Sequence, residues 1–285
     1  MNANLIFKEL VKMPFSVLMS VYKNDNPTDF KLAVESISEN QTRKPDEIII
    51  VVDGPISDEL NCELCSLIES IPEIKPIFLK VNGGLGNALR VGTKAATNEL
   101  VARMDSDDIA LPDRFEKEIG FLEENPDVVM VGGQISEFIG NPQNIVGNRE
   151  VPCTNEEIYS WMKKRCPFNH MTVAFKKSKV LEVGNYIDWH YNEDYYLWIR
   201  MAEAGYKFAN LPDTLVNVRV GKEMYARRGG WKYFKSEKGL QDYMLKKRFI
   251  GLGTYLFNVV VRFGVQVAMP NSFRAFIFKK LFRKK

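Results

Sequence analysis

Three carboxylates occupy four positions at Asp105-Ser106-Asp107-Asp108, directly after the apolar run Leu100-Val101-Ala102-Arg103-Met104. Carboxylates this close raise each other's pKa unless a cation offsets their charge, and a hard divalent ion with oxygen ligands is suited to that task. The cluster is therefore a candidate site for such a cation, in a centre that would hold a diphosphate and stabilise it as it leaves. The same acids also suit a loop capping a helix that starts near Asp113, since Asp is common in turns and at helix starts. Their place at a predicted strand end keeps the first reading open, because ligands of open α/β sheets bind there.

A second acidic site is Asn192-Glu193-Asp194, just before Tyr195-Tyr196-Leu197-Trp198-Ile199-Arg200. Acids in a first helical turn complement the macrodipole, an effect worth under about 1 kcal/mol at an exposed site. The alternative is a general base, a carboxylate within reach of an attacking hydroxyl. Trp189 and Trp198 could offer flat faces to a sugar ring or fill the core. His170 and His190 are the only histidines; a lone His is commonly structural, and His170 is also a candidate on the acceptor side.

Positioning these groups requires an α/β scaffold. Phe15 to Val21 reads as a buried strand, and Asn26-Pro27-Thr28-Asp29 as a helix start followed by Phe30, Ala33, Val34 and Ile37 at helical spacing. Glu47 to Val52 is a β-branched run without alternation, as expected of a parallel strand covered on both faces. Helices at 58–70, 85–97 and 113–124 and strands at 76–81, 99–104 and 128–132 continue the alternation. Beyond it we expect turns over 140–155, helices near 155–164, 178–182 and 193–204, and a strand at 171–175.

Ser20-Val21-Tyr22, Asp53-Gly54 and the acidic cluster then fall at carboxyl ends of parallel strands, and a nucleotide would lie across them. Asp53 could accept from a uracil N–H or ribose hydroxyl while Gly54 lets the backbone approach; alternatively the pair simply forms a turn. Asn82-Gly83-Gly84-Leu85-Gly86-Asn87 has the wrong spacing for a dinucleotide fingerprint and reads better as a helix cap, with Arg90 facing the nucleotide.

The 285 residues are 45% hydrophobic and 26% charged, enough for a sizeable core. Four cysteines, Cys62, Cys65, Cys153 and Cys166, fit reduced thiols rather than a disulfide framework or zinc site. Residues 1–13 do not read as a signal peptide, and no run reaches the length of a spanning helix. No acidic residue follows Asp242 whereas ten basic ones do, so the net charge of +3 divides into −7 before and +10 after that point. The basic stretch is interleaved with Phe257, Val260, Phe263, Phe273, Phe276 and Phe282, which favours an anionic membrane face over nucleic acid. A helix packed on the domain is the other reading.

Phe15-Ser16-Val17-Leu18-Met19-Ser20-Val21-Tyr22, Val51-Val52-Asp53-Gly54, the Asp105-Ser106-Asp107-Asp108 form of a DxD motif, and Glu193-Asp194 with Leu197-Trp198-Ile199-Arg200 together resemble the inverting family-2 glycosyltransferases of the GT-A fold. More narrowly, Val51 to Ile56 and Arg219 to Gly230 are similar to bacterial O-antigen and exopolysaccharide transferases that add a hexose to a lipid-diphosphate-linked amino sugar. The resemblance implies an α/β GT-A fold: a Rossmann-like, mostly parallel sheet flanked by helices over residues 1–220, with a nucleotide half at 1–135 and an irregular acceptor half at 136–220. A basic, amphipathic helical extension at 221–285 would follow. It implies a UDP-hexose donor (galactose or glucose) and Mn2+ or Mg2+ on Asp107 and Asp105. Donor-binding residues would be Ser20, Val21, Tyr22, Asp53, Arg90, Arg103, Asp105, Arg227 and Arg228. Asp194 and Glu193 would be catalytic, Trp198 and His170 would meet an undecaprenyl-diphosphate-linked acceptor, and the protein would work at the cytoplasmic face of the inner membrane. Two rivals are a sugar-phosphate nucleotidylyltransferase, disfavoured by a first-strand loop without glycines, and a non-catalytic protein of the same fold.

Overall fold

The computed structural model describes residues 12–221 and 229–269. Its centre is the parallel set β1 (Phe15–Val21), β2 (Glu47–Val52), β3 (Ile74–Phe78) and β4 (Leu100–Met104), ordered β3-β2-β1-β4. Every residue of β2 and β4 is buried, because helices cover both faces. On one face Val17, Met19, Ile48 and Ile50 pack with Phe30, Val34, Leu64 and Phe115; on the other Leu18, Ile49, Val51 and Val101 pack with Leu89, Phe168 and Trp198. β1 has β2 on one side and β4 on the other, so the connections diverge there and open a crevice at the strands' carboxyl ends.

The sheet continues beyond β4 through β8 (Ala174–Lys176), β6 (Val128–Phe138), β9 (Lys207–Arg219) and β5 (Ile109–Ala110), with β7 (Ile145–Arg149) against β6. β6 runs through residue 135, so the anticipated nucleotide and acceptor halves share one sheet. Helices α1 (Pro27–Ile37), α2 (Asp58–Ser70), α3 (Leu85–Ala95), α4 (Arg114–Glu124), α5 (Asn155–Met162), α6 (Lys177–Glu182) and α7 (Glu193–Glu203) fall close to their expected ranges. Asn26 caps α1 by accepting from the Thr28 and Asp29 amides. The extension contributes α8 (Trp231–Lys246) and α9 (Leu252–Phe263). Among the described residues no helix is long and apolar enough to cross a membrane.

Three expectations need correction. β3 ends at Phe78 rather than 81, because the Leu79 amide still bonds the Val52 carbonyl but the following residues leave the sheet to reach Asp53. The strand expected at 171–175 is a 3-10 turn, His170–Thr172, before β8; the Thr172 hydroxyl donates to the Asn169 carbonyl and holds the turn. β9 and β7 occupy segments for which no strand was expected. In β9, Pro212 cannot donate to a ladder, and the register against β6 shifts between Gly132 and Gln134 to pass it.

Candidate active site

β1, β2 and β4 end side by side, with Val21 opposite Val52 and Met19 opposite Met104, so Tyr22, Asp53 and Asp105 share one edge of the sheet. The Asp53 N–H donates to the Val21 carbonyl at 2.8 Å. The Asp53 carboxylate is buried and accepts the Gly83 and Gly84 amides at 2.8 and 2.9 Å, while Asn82 Nδ2 donates to the Asp53 carbonyl. Gly54 has φ +82°, and a Cβ there would lie 2.4 Å from the Asn82 nitrogen. Asp53-Gly54 is thus both a turn and the staple that fixes the glycine loop leading into α3.

The acidic cluster is four carboxylates rather than three. Asp25, in the loop after β1, accepts from the Tyr22 amide at 3.0 Å and the Ser106 hydroxyl at 2.8 Å. Burial, opposed by those two bonds, and the nearby charge of Asp105 leave its carboxyl pushed up to about 6. Although Asp107 is open to solvent, the protein packed around its carboxylate, then the charges of Asp105 and Asp25, push it up to about 7, and burial followed by Asp107 and Asp105 raises Asp108 well above the ordinary carboxylate range. Arg219 at the end of β9 clamps this loop: its amide donates to Asp108 Oδ1 at 2.8 Å, its Nε to the Asp107 carbonyl at 3.1 Å, and its Nη2 pairs with Asp29 at 2.8 Å.

Among the described residues no three carboxylate, imidazole or thiol side chains converge to hold a metal unaided. The donor set still fits Mn2+ or Mg2+ in the manner of ions that take one or two carboxylates and complete their shell with phosphate oxygens and water. Asp107 is exposed and Asp105 half-buried, so both can face a ligand, and the charge repulsion that adds to burial in raising Asp25, Asp107 and Asp108 is what a divalent ion would relieve.

Arg103 joins this cluster to the second acidic site. β4 pairs Arg103 with Leu18, which turns its side chain toward the sheet face that carries α7. The guanidinium is 2% exposed and pairs with Asp105 through Nη2, while Nε and Nη1 have no hydrogen-bond partner. Its positive charge opposes the upward shifts not only of Asp107 and Asp108 but also of Glu193 and Asp194. The buried Tyr186 phenol is likewise influenced by Arg103, Asp194, Glu193 and Asp105 together. Arg103 is therefore the buried cation whose charge bears on both acidic sites, with Arg149 adding to its effect on Asp194.

Glu193 and Asp194 open α7. The Tyr195 amide donates to Asp194 Oδ1 at 2.6 Å, and Oδ2 lies 3.8 Å from the Cys166 thiol and 4.0 Å from His170 Nδ1. Burial raises the Asp194 carboxyl above its ordinary value, against the pull of the Tyr195 amide and Arg103. Burial and then Asp194 push Glu193 up to about 7. Glu193 faces α3, where a Cβ on Gly86 would come within 3.2 Å of Glu193 Cβ, so this glycine lets the loop and the acidic pair pack together. Asp188 abuts Gly86 as well, and Asn87, Arg90, Gly184, Tyr186, Ile187 and Asp188 line a cavity of about 200 Å³ in which Arg90 Nη2 donates to Asn87 Oδ1 at 2.7 Å.

Several anticipated contacts are placed differently. Trp198 is fully buried against Phe168, His170 and Tyr186 and has no face for a sugar. Trp189 packs on Tyr196 and Gly239, with its indole N–H on the Ser236 carbonyl. His170 is partly buried, lies 3.0 Å from the Tyr186 hydroxyl through Nε2, and has a pKa held well below the usual histidine value by burial and Arg103, which favours the neutral ring beside Asp194. The Val21 side chain is in the core and its carbonyl is taken by Asp53, whereas Ser20 and Tyr22 are partly exposed at the cleft. Arg103 lies beneath Asp105 instead of on the open wall. Arg227 and Arg228 lie outside the described residues. Asp25, Tyr186 and Cys166 were not anticipated; Asp25 alone carried a signal, an acid four residues past the end of the first strand.

A sheet with its switch point at β1, an aspartate-rich loop after β4 and an acidic start to α7 is the arrangement of a GT-A glycosyltransferase. The model of the family described as Glycosyl transferase family 2 matches residues 16–184, and the chain belongs to that family. It is 42% identical over 272 residues to an uncharacterized glycosyltransferase of Haemophilus influenzae, covering 95% of this chain and 100% of that one. It is 41% identical to the amylovoran biosynthesis glycosyltransferase AmsE of Erwinia amylovora, over 81% of this chain and 85% of the other. It is 38% identical to the UDP-Gal:alpha-D-GlcNAc-diphosphoundecaprenol beta-1,3-galactosyltransferase of Escherichia coli, over 95% and 97% of the two chains. Among solved structures, S. aureus TarS 1-349 superposes with a TM-score of 0.63 at 16% identity, covering 94% of this chain and 75% of that one. The mannosyltransferase PcManGT of Pyrobaculum calidifontis, in complex with GDP-Man and Mn2+, gives 0.60 at 16% identity over 92% and 72%. The protein is thus a glycosyltransferase, and the nucleotidylyltransferase and non-catalytic readings fall away.

Proposed function

We propose that the protein is a metal-dependent, inverting hexosyltransferase that moves galactose or glucose from a UDP-sugar to a hydroxyl of an undecaprenyl-diphosphate-linked saccharide, in the assembly of a bacterial O-antigen or exopolysaccharide. The observation that supports this reading most is Arg103, which pairs with Asp105 and whose charge also bears on Asp107, Glu193 and Asp194. The named activities of the Escherichia coli and Erwinia relatives support the choice of donor and pathway class. The reaction would take place at the cytoplasmic face of the inner membrane, where such an acceptor is anchored.

In this reading the donor nucleotide lies across the ends of β1, β2 and β4, with Ser20, Tyr22 and the Asp53-stapled glycine loop beneath it and Arg90 at the side. Asp105 and Asp107 would hold Mn2+ or Mg2+, which when bound neutralises the diphosphate leaving group. Asp194 takes the proton from the acceptor hydroxyl as its oxygen bonds the anomeric carbon and the bond from that carbon to the UDP oxygen breaks. Attack opposite the leaving group inverts the centre, through an oxocarbenium-like transition state. The Tyr195 amide fixes one oxygen of Asp194, and the neutral His170 and the Cys166 thiol, whose pKa burial and Asp194 drive upward, back the other.

A donor panel tests the assignment. With Mn2+ and a synthetic N-acetylglucosamine-diphosphate-lipid acceptor, UDP-galactose or UDP-glucose should be consumed and GDP-mannose left intact. Transfer from GDP-mannose alone would overturn the donor assignment.

A further inference from the structure

Helix α9 is amphipathic in the opposite sense to a helix folded in water. Its one buried residue is polar: Asn258 Nδ2 donates to the Lys163 carbonyl and to Gln241 Oε1, both at 2.8 Å. Arg262 beside it pairs with Glu237 and donates to the Lys164 carbonyl at 2.7 Å, and the Tyr255 hydroxyl donates to Asp242 at 2.7 Å. The outward arc consists of Leu252, Leu256, Phe257, Val260, Val261 and Phe263, with Phe257 64% and Val260 69% exposed. Trp231 at the start of α8 lies beside Phe263 and is also exposed, widening the patch. A surface helix normally turns its apolar stripe to the core, and a contiguous patch of this kind marks a binding face.

Charge selects the occupant. The chain after Asp242 carries ten basic residues and no acidic one, three of them, Lys246, Lys247 and Arg248, at the junction of α8 and α9. Bulky apolar side chains with cations alongside suit the headgroup boundary of an anionic bilayer, whereas a second copy of this chain would bring the same positive charge against itself. Position agrees: the carbonyls that anchor α9 belong to Lys163 and Lys164, three and two residues before Cys166, whose thiol lies 3.8 Å from Asp194. We propose that the outer face of α9 inserts into the surface of an anionic membrane and so holds the base side of the cleft at the bilayer. This deepens the function proposed above and rests on it only for the acceptor being lipid-linked.

Flotation of the full chain with vesicles of phosphatidylcholine, with and without phosphatidylglycerol, tests it. The wild type should float with the anionic vesicles, and Phe257→Asp combined with Val260→Asp should weaken that binding by about tenfold or more. A Phe257→Leu, Val260→Leu pair should retain it. Both positions are exposed, so an unchanged melting temperature and unchanged transfer to a short-chain, water-soluble acceptor are expected of the Asp pair. The vesicles contain neither donor nor acceptor, so a negative result here leaves the hexosyltransferase reading standing. Equal flotation of wild type and Asp pair, or no flotation of the wild type, would overturn the proposal. So would a wild-type dimer in sedimentation that the Asp pair converts to monomer, because a second copy would then own the face.

Discussion

Asp194→Asn should lower kcat by roughly 10²–10⁴, the contribution usual for a positioned general base, while leaving UDP binding unchanged. The substitution is nearly isosteric, and the amide oxygen can still accept the Tyr195 N–H that fixes the side chain at the start of α7. What it removes is the ability to take a proton. Because burial already raises the Asp194 carboxyl, exchanging it for a neutral group should also cost the fold little. Single-turnover assays beside calorimetry of UDP binding separate the two effects. Turnover near the wild-type rate would remove Asp194 from its role, and joint loss of turnover and UDP binding would make it a structural residue.

Asp107→Ala should abolish the enhancement of UDP-sugar binding by Mn2+, with a loss of about 100-fold or more in metal-supported affinity. The same variant should be at least as stable as the wild type without metal. Asp107 is exposed, Arg219 Nε holds its carbonyl rather than its carboxylate, and deleting the carboxylate removes its repulsion with Asp105, Asp25 and Asp108. Stability gained where activity is lost is the usual sign of a site kept strained for function. Titration calorimetry with and without Mn2+, alongside a thermal melt, reads both; Mn2+-enhanced binding that survives the substitution would place the ion elsewhere.

The parallel core was legible because burial on both faces writes itself into composition: Glu47–Val52 and Leu100–Met104 are runs that solvent-facing strands rarely carry. The acidic motifs were legible for a related reason, since the ends of such strands are where an open sheet binds ligands. β9 was hidden because its existence depends on a non-local partner: Lys207–Arg219 pairs with Val128–Phe138 across a register shift, and Pro212 argues locally against a strand. Trp198 could not be assigned from spacing alone. Only the rotation of α7 against Phe168 and Tyr186 sends it inward and leaves the cleft to Glu193 and Asp194. Asp25 reaches the site through Ser106, 81 residues away, and Arg103 matters because β4 aims it between two acidic loops. The C-terminal extension showed its mixture of apolar and basic residues in sequence, but which side of α9 faces the protein became visible only in the Asn258–Gln241 and Arg262–Glu237 contacts.

The anomeric configuration of the first product is the most direct test of a base and a leaving group on opposite sides of one cleft. NMR of the saccharide formed from an α-linked UDP-hexose should show a β-linkage from the earliest time points. An α-linked product would mean a double displacement or front-face departure, and the pairing of Asp194 with the Asp105–Asp108 loop as base and diphosphate site would then be wrong.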